Sequence, residues 1–321
     1  MSVAVTGASG FCGGVVARLL LAHGYDVVSL GRRPGPDGTE HRRWDASVDT
    51  PDLVGCAAVV HLAAAVGDPR PGTDAREFER VNVDGARRLL EAAGDRPVVW
   101  VSSSSVYDPR PDRTRVTEDH PTSGGHLNAY GRTKALGDRL ALDAGAVVLR
   151  PRAVYGPGDT HLLPRLLRAT RRGRIVLPGH DVELSLTHVD NLAGACVAAL
   201  GWVPGPYNVA DEVPVRRDAT LVDVLEAALA RPVAVGHVPV PVAARAADVL
   251  DTLARLTGRE PLLTPYAVDT LAHTFCLDTT RARSTGWRPR DLMADYLATL
   301  GEWPPDSVPP TRSRSRTRPG G

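Results

Sequence analysis

A chain of 321 residues, 43% hydrophobic and with a formal net charge of +1, has room for one large α/β domain with an appended lobe, or for two modest domains. Near-neutrality argues against a nucleic-acid or membrane-surface role for its body. No uncharged apolar run approaches the roughly 18 residues needed to span a bilayer.

In chain order, SVAVTG is a short apolar strand ending in Gly7, and GGVVARLLLAHG has helical periodicity up to Gly24. YDVVSLG is a second strand, AAVVHLAAA (57–65) a buried third, and FERVNVDGARRLLEAAG (78–94) an amphipathic helix. PVVWVSSSS (97–105) is a strand running into serines, AYGRTKALGDRLALDAG a helix, and AVVLRPRAVYGPGD a strand entering a Pro/Gly loop. Strand and helix in alternation, with buried strands, predict an α/β fold with a Rossmann-type doubly wound parallel sheet. Helices are expected at 161–173, 189–201, 220–230 and 241–257. The expected division is a cofactor domain at 1–156, a substrate lobe at 157–303 partly interleaved with the sheet, and a disordered Arg/Ser/Pro tail at 304–321.

The four cysteines (Cys12, Cys56, Cys196, Cys276) fit neither a disulfide framework nor a zinc site, and no His, Cys or carboxylate group shows metal spacing. The first strand begins almost at the N-terminus, so no signal peptide and a cytoplasmic location are expected.

Thr6-Gly7-Ala8-Ser9-Gly10-Phe11-Cys12-Gly13 lies between the first strand and the first helix. Gly7 allows a tight turn, Gly10 lets a pyrophosphate approach backbone, and Gly13 lets helix pack close on strand. The helix start then offers N–H groups and a positive dipole end to phosphates. Ser9, Phe11 and Cys12 belong to the same candidate dinucleotide site. Where such folds usually place an acid, after the second strand, this chain reads Gly31-Arg32-Arg33. An acid accepts a ribose 2′-hydroxyl but repels a 2′-phosphate, whereas a guanidinium pairs with phosphate. NADP(H) is therefore the expected cofactor, selected by Arg32 and Arg33.

Tyr130 and Lys134 stand four residues apart on one helix face. An ammonium near a phenol favours tyrosinate, lowering a pKa of about 10 toward the working range. Such a phenol exchanges a proton with a carbonyl oxygen. The serines 102–105 close a preceding strand, at the sheet edge where α/β ligands bind, and one of them is expected to hold the reacting oxygen.

Taken together, TGASGFCG, HLAA (61–64), VNVDGARRLL (81–90), SSSSVYD (102–108), YGRTK, LRPRAVYGPGD (149–159), THVDNLAGA (187–195), YNVAD (207–211) and STGWRPRDL (284–292) resemble the extended short-chain dehydrogenase/reductase family over about residues 1–300. The pattern is similar to its NAD(P)-dependent epimerase/dehydratase-like and 3β-hydroxysteroid-dehydrogenase-like branch. The resemblance implies Ser103 as catalytic serine, Tyr130 as acid/base, and Lys134 as holder of the nicotinamide ribose. It puts Asp45 and Ala46 by the adenine, Leu62, Ala63 and Ala64 along the cofactor, and Asn82 in support. Pro151 and Val154 fall by the nicotinamide, and Ser104, Ser105, Tyr155 and His188 toward the substrate. Relatives pair helices such as 78–94 and 128–143, so a monomer or homodimer is expected.

Departures from the family pattern narrow the chemistry. Ser104-Ser105 replaces the Asp-Glu pair of 4,6-dehydratases, and Ala153 replaces the Asn of many nucleotide-sugar epimerases. Asp108 stands where Gly is usual, and the polar insert 108–128 is expected to be a flexible substrate lid. His61, in a buried strand, is expected to be a core or cofactor-floor residue. The favoured expectation is an NADPH-dependent ketoreductase or alcohol dehydrogenase acting on a small, fairly apolar carbonyl compound (steroid-like, polyketide or aromatic). The alternatives are a nucleotide-sugar epimerase or 4-ketosugar reductase, with Arg152, Arg165 and Arg168 clamping a diphosphate, and a non-catalytic NADP-binding sensor.

Overall fold

In the computed structural model, which describes residues 1–67, 75–257, 261 and 263–301, seven parallel strands form the central sheet. They are β1 (Ser2–Thr6), β2 (Asp26–Gly31), β3 (Glu40–Arg43), β4 (Ala58–His61), β5 (Val98–Val101), β6 (Val147–Pro151) and the edge strand Gly205–Val209. From that edge strand the spatial order is β6-β5-β4-β1-β2-β3. The order reverses between β1 and β4, the switch point at which doubly wound sheets hold ligands. The expected tail at 304–321 lies outside the described residues.

Alternation along each strand sends side chains to two cores. Val3, Val5, Val99, Val101, Val147 and Leu149 pack under α1 (Phe11–Ala22), with Leu192, Ala195 and Cys196 from a helix at Val189–Ala198. Ala4, Val28, Leu30, Val59, Trp100 and Val148 face the opposite side, against Leu89, Ala93 and Ala141. Each fully buried leucine or valine contributes about 2 kcal/mol. His61 is a core residue: its Nδ1 pairs with Thr6 Oγ1 at 2.9 Å and its ring stacks on Trp100. Burial pushes its pKa down to about 3, so it stays neutral.

The Gly-rich turn is set by close packing. Gly7 has φ 71°, and a Cβ on Gly13 would lie 2.2 Å from the Gly7 carbonyl oxygen. Backbone on both sides leaves no flexible end to yield, so Gly13→Ala is expected to lower stability by about 3 kcal/mol. Urea denaturation checks this, and an unmoved midpoint would contradict it.

The segment expected as one helix at 78–94 is three: α2 (Ala75–Glu79), a π-helical turn Arg80–Asp84, and α3 (Gly85–Ala93). The widened turn presents Asn82, whose Oδ1 accepts from Ala65 N–H at 2.8 Å and whose Nδ2 donates to Ala65 O and Thr133 Oγ1. One side chain thus ties the loop after β4 to α4 (Ala129–Asp143).

Beyond β6 the chain adds a parallel strand pair, Arg174–Pro178 with Ala234–Val238, and helices including α5 (Leu162–Ala169), Arg217–Leu229 and Val240–Thr257. Buried Arg217 ties this region together, donating to the carbonyls of Pro178, His180 and Leu271.

Candidate active site

The turns after β1 and β4 abut at the switch point. Leu62 and Ala63 both donate N–H to Thr6 Oγ1 at 3.0 Å, and Gly7 lies against Ala63. The start of α1 has no side-chain cap and no acid in its first turn, and Ser9 and Gly10 beside it are exposed. Uncapped N–H groups next to a turn without bulk fit a phosphate. Leu62 and Val154 pack on the same core as α1, and Pro151 ends β6 beside Val209. Burial, with Asp159 nearby, pushes the Cys12 thiol up to about 12, so it is not a nucleophile.

Gly31 has an ordinary φ, and an added Cβ would meet only the Arg33 carbonyl oxygen at 3.6 Å. A side chain would fit there, so sterics do not explain the missing acid. Arg32 and Arg33 are exposed, and Arg43 pairs with Gly31 across β3, adding a third guanidinium that motif reading missed. Ser47 donates to Asp45 from backbone and side chain. These bonds, with the charges of Arg32 and Arg43, hold its carboxyl below the usual range. Ala46 O accepts from Arg88, fixing that loop on α3.

The serine turn after β5 and the start of α4 meet face to face. Ser105 donates from backbone N–H (3.1 Å) and hydroxyl (3.0 Å) to Ser103 Oγ. Both serines lie close enough to the Tyr130 hydroxyl to pull its pKa down. Lys134 is buried, donates to Val101 O at 2.8 Å and lies over Trp100. Burial pushes its pKa down to about 8. The expected lowering of the Tyr130 phenol does not hold: burial pushes it up to about 12, against the opposing pull of Ser103 and Ser105. Ser102 and Ser104 are buried away from this contact, the Ser102 hydroxyl without a partner.

What brings α4 so close was not read from the motif. Asn128 caps the helix by accepting from Gly131 N–H at 2.8 Å. A Cβ on Gly131 would sit 2.9 Å from Ser105 O, and one on Gly137 2.6 Å from Asn82 O. Asp138, one turn beyond Lys134, accepts from Arg150 of β6 at 3.1 and 2.7 Å, both residues being buried. An acid four residues after the Y-x-x-x-K lysine was the available signal.

A narrow cleft with about 30 Å³ of free space lies by the serines, between the insert and the segment 266–275. Ser104, Ser105, Asn128 and Gly131 line one end, and Arg113, Arg152, Asp269 and Phe275 the other. Tyr155 and His188, expected beside the substrate, do not line it. Tyr155 donates to Asp211 at 2.8 Å, and both rings pack with Tyr296, because the strand pair Val154–Tyr155 and Thr187–His188 turns them into the lobe core. The insert is a fixed wall instead of a loose lid. Val116 is buried and bonded to Cys276 and Asp278, Arg113 pairs with Asp269, and Asp108 holds Arg110 with its carboxylate and donates its backbone N–H to Pro121 O. Ala153 takes a left-handed φ of 42°, a conformation that Asn tolerates better than Ala. A roomier hollow of about 650 Å³, bounded by Arg115, Asp278 and Arg283, contains none of these catalytic candidates.

The NAD dependent epimerase/dehydratase family model matches residues 3–210. The chain belongs to that family. Membership makes it an extended short-chain dehydrogenase/reductase and an oxidoreductase of the CH–OH/C=O couple. It is 28% identical to the 2-alkyl-3-oxoalkanoate reductase of Shewanella oneidensis, over 87% of this chain and 80% of that protein. It is 33% identical to the 4-hydroxy-2-methyl-3-oxo-4-farnesyl-3,4-dihydroquinoline-1-oxide ketoreductase of Stigmatella aurantiaca, over 79% and 81%. Among solved structures, MoeE5 in complex with UDP-glucose and NAD superposes with a TM-score of 0.71 at 28% identity, covering 94% of this chain and 98% of that one. Among the described residues no cluster of three or more potential ligands is placed to hold a metal, and no helix is long and apolar enough to cross a membrane.

Proposed function

We propose that this family member is an NADPH-dependent ketoreductase. The observation that carries the reading is the meeting of Ser103 and Ser105, hydrogen-bonded to each other, with Tyr130 at the start of α4, and Lys134 one helical turn further along. The uncapped α1 start, the turn at Gly7 and Gly10, and the floor at Leu62, Ala63 and Ala64 fit a dinucleotide; Arg32 and Arg33 beside Gly31 fit a 2′-phosphate. When bound, the nicotinamide supplies hydride to the carbonyl carbon. Ser103 orients the carbonyl oxygen and Tyr130 gives it a proton. Burial keeps the phenol protonated, the form that donates when a carbonyl is reduced. Two relatives named as reductases of oxo compounds support the same direction.

The likeness to MoeE5 supports a second reading, redox-neutral epimerisation of a nucleotide sugar with retained NAD. Cofactor kinetics separate the two. The wild-type chain is expected to favour NADPH over NADH by at least ~10-fold in kcat/KM. Arg32→Ala is expected to remove a charge-assisted bond and reduce the NADPH value by about 10–100-fold, leaving NADH nearly unchanged. A marked NADH preference, or NAD carried through purification without net turnover, would overturn the proposal in favour of the epimerase.

A further inference from the structure

We propose that the cleft beside Tyr130 takes a carbonyl substrate that also bears a carboxylate, an oxo acid, and that Arg152 binds the carboxylate. This rests on the reductase reading and names its substrate class. Four arginines are buried among the described residues, and three have a carboxylate partner: Arg113 with Asp269, Arg150 with Asp138 and Arg217 with Asp218. Arg152 has none. It is 5% exposed, stacks at 4.0 Å over Phe275, and makes one long bond, 3.5 Å, to Thr270 O. Its Nε has no partner.

A guanidinium keeps its charge, and a buried charge without a counter-ion is costly unless something supplies one. Asp269, near enough to act on Arg152 electrostatically, is held by both Arg113 nitrogens at 2.7 and 3.1 Å and by His273 at 3.2 Å. Arg113 and Asp269 cancel, leaving the cleft one positive charge. A second orphan, His126 Nδ1, belongs to another residue lining the same cleft. Ser105, which also lines it, acts on the Tyr130 hydroxyl, and Tyr266, another lining residue, lies within electrostatic reach of both Tyr130 and Arg152. The proposed substrate carries its carboxylate to Arg152 and its carbonyl to Tyr130.

None of the dinucleotide candidates lines the cleft, so the anion is the substrate's. One uncompensated charge matches a monoanion better than a diphosphate, and Arg165 and Arg168 lie exposed on α5, outside the lining. The cleft's free space, about 30 Å³, holds a carboxylate group, and the substrate's body extends beyond it. Hydride from NADPH and a proton from Tyr130 convert the carbonyl to a hydroxyl, and the carboxylate passes through unchanged.

The test compares a medium-chain 3-oxo acid with its methyl ester, using NADPH, wild type, Arg152→Met and Arg152→Lys. Calorimetry in parallel measures binding of the matching 3-hydroxy acid and its ester to the NADP-loaded proteins. Wild type is expected to favour the acid by about 100-fold in kcat/KM, mainly through KM. Arg152→Met should erase that preference, with ester turnover falling far less than acid turnover, and Arg152→Lys should restore part of it. Equal use of acid and ester by wild type, or a preference that survives in Arg152→Met, would overturn the proposal. If neither compound is reduced while hydroxy-acid binding still depends on Arg152, the carboxylate site stands and the reductase reading falls. Binding indifferent to the ester cap removes the carboxylate site whatever the catalysis.

Discussion

Tyr130→Phe is expected to lower kcat for carbonyl reduction by about 1,000-fold while the Kd for NADPH, read by fluorescence titration, stays within a few-fold of wild type. Removing a positioned general acid forfeits a factor of about 100 to 10,000, and the phenyl ring keeps the packing of α4 on the serine turn. Loss of cofactor binding would assign the residue to structure, and retained turnover would remove it from the chemistry. The pH profile carries the same logic. The phenol, raised to about 12, remains a donor across the accessible range, so it sets no neutral limb. Lys134, lowered to about 8, carries its charge below that pH and loses it above. Reduction should therefore hold steady below about pH 8 and decline above it. A profile instead rising through pH 8 would mean that the neutral amine, and not the ammonium, is the working form.

Asp138→Ala is expected to lower unfolding free energy by about 3–5 kcal/mol, because it leaves Arg150 buried and charged with its carboxylate gone. Tyr107 Oη and Glu118 O, at 3.2 and 3.1 Å from Arg150, accept hydrogen bonds but do not balance the charge. Replacing both partners, Asp138→Leu with Arg150→Met, should recover most of the loss, since a buried ion pair exchanged for apolar volume is often neutral or stabilising. Urea denaturation of the two proteins decides it. A single variant as stable as wild type would show that the pair does not anchor α4. Activity should fall in the single variant as well, because the pair joins β6 to the helix that positions Tyr130 and Lys134.

The contrast between Arg150 and Arg152 shows how differently two neighbours on β6 and its exit are used. The first is locked into a network with Asp138, Tyr107 and Glu118. The second, two residues on, reaches the cleft with its charge unmatched. The substrate expected from the sequence was fairly apolar, with Arg152 counted among the clamps of an alternative diphosphate; the cleft supports a single anionic end.

Local signals made much of the fold and cofactor site legible in the amino-acid order. Short continuous apolar runs marked β1, β2, β5 and β6, because parallel strands covered on both faces bury successive side chains. Gly7, Gly10 and Gly13 marked the turn, and the four-residue step put Tyr130 and Lys134 on one helix face. Each of these is a property of a short segment, complete before distant parts of the chain meet.

Other features depended on distant partners. Burial, with Ser103 and Ser105 opposing it, set the phenol's protonation, not the spacing to Lys134. Thr6, Asn82 and Gly131 drew three loops and a helix together. The insert's fate as a wall hung on Arg113 meeting Asp269, 156 residues away in sequence. Charge pairing follows proximity in space, and a run of residues does not record which charges the folded chain brings together. Residue order was therefore enough for the sheet, the glycine turn and the Tyr130–Lys134 spacing, whereas the fold of the whole chain left Arg152, among the buried arginines, without a carboxylate.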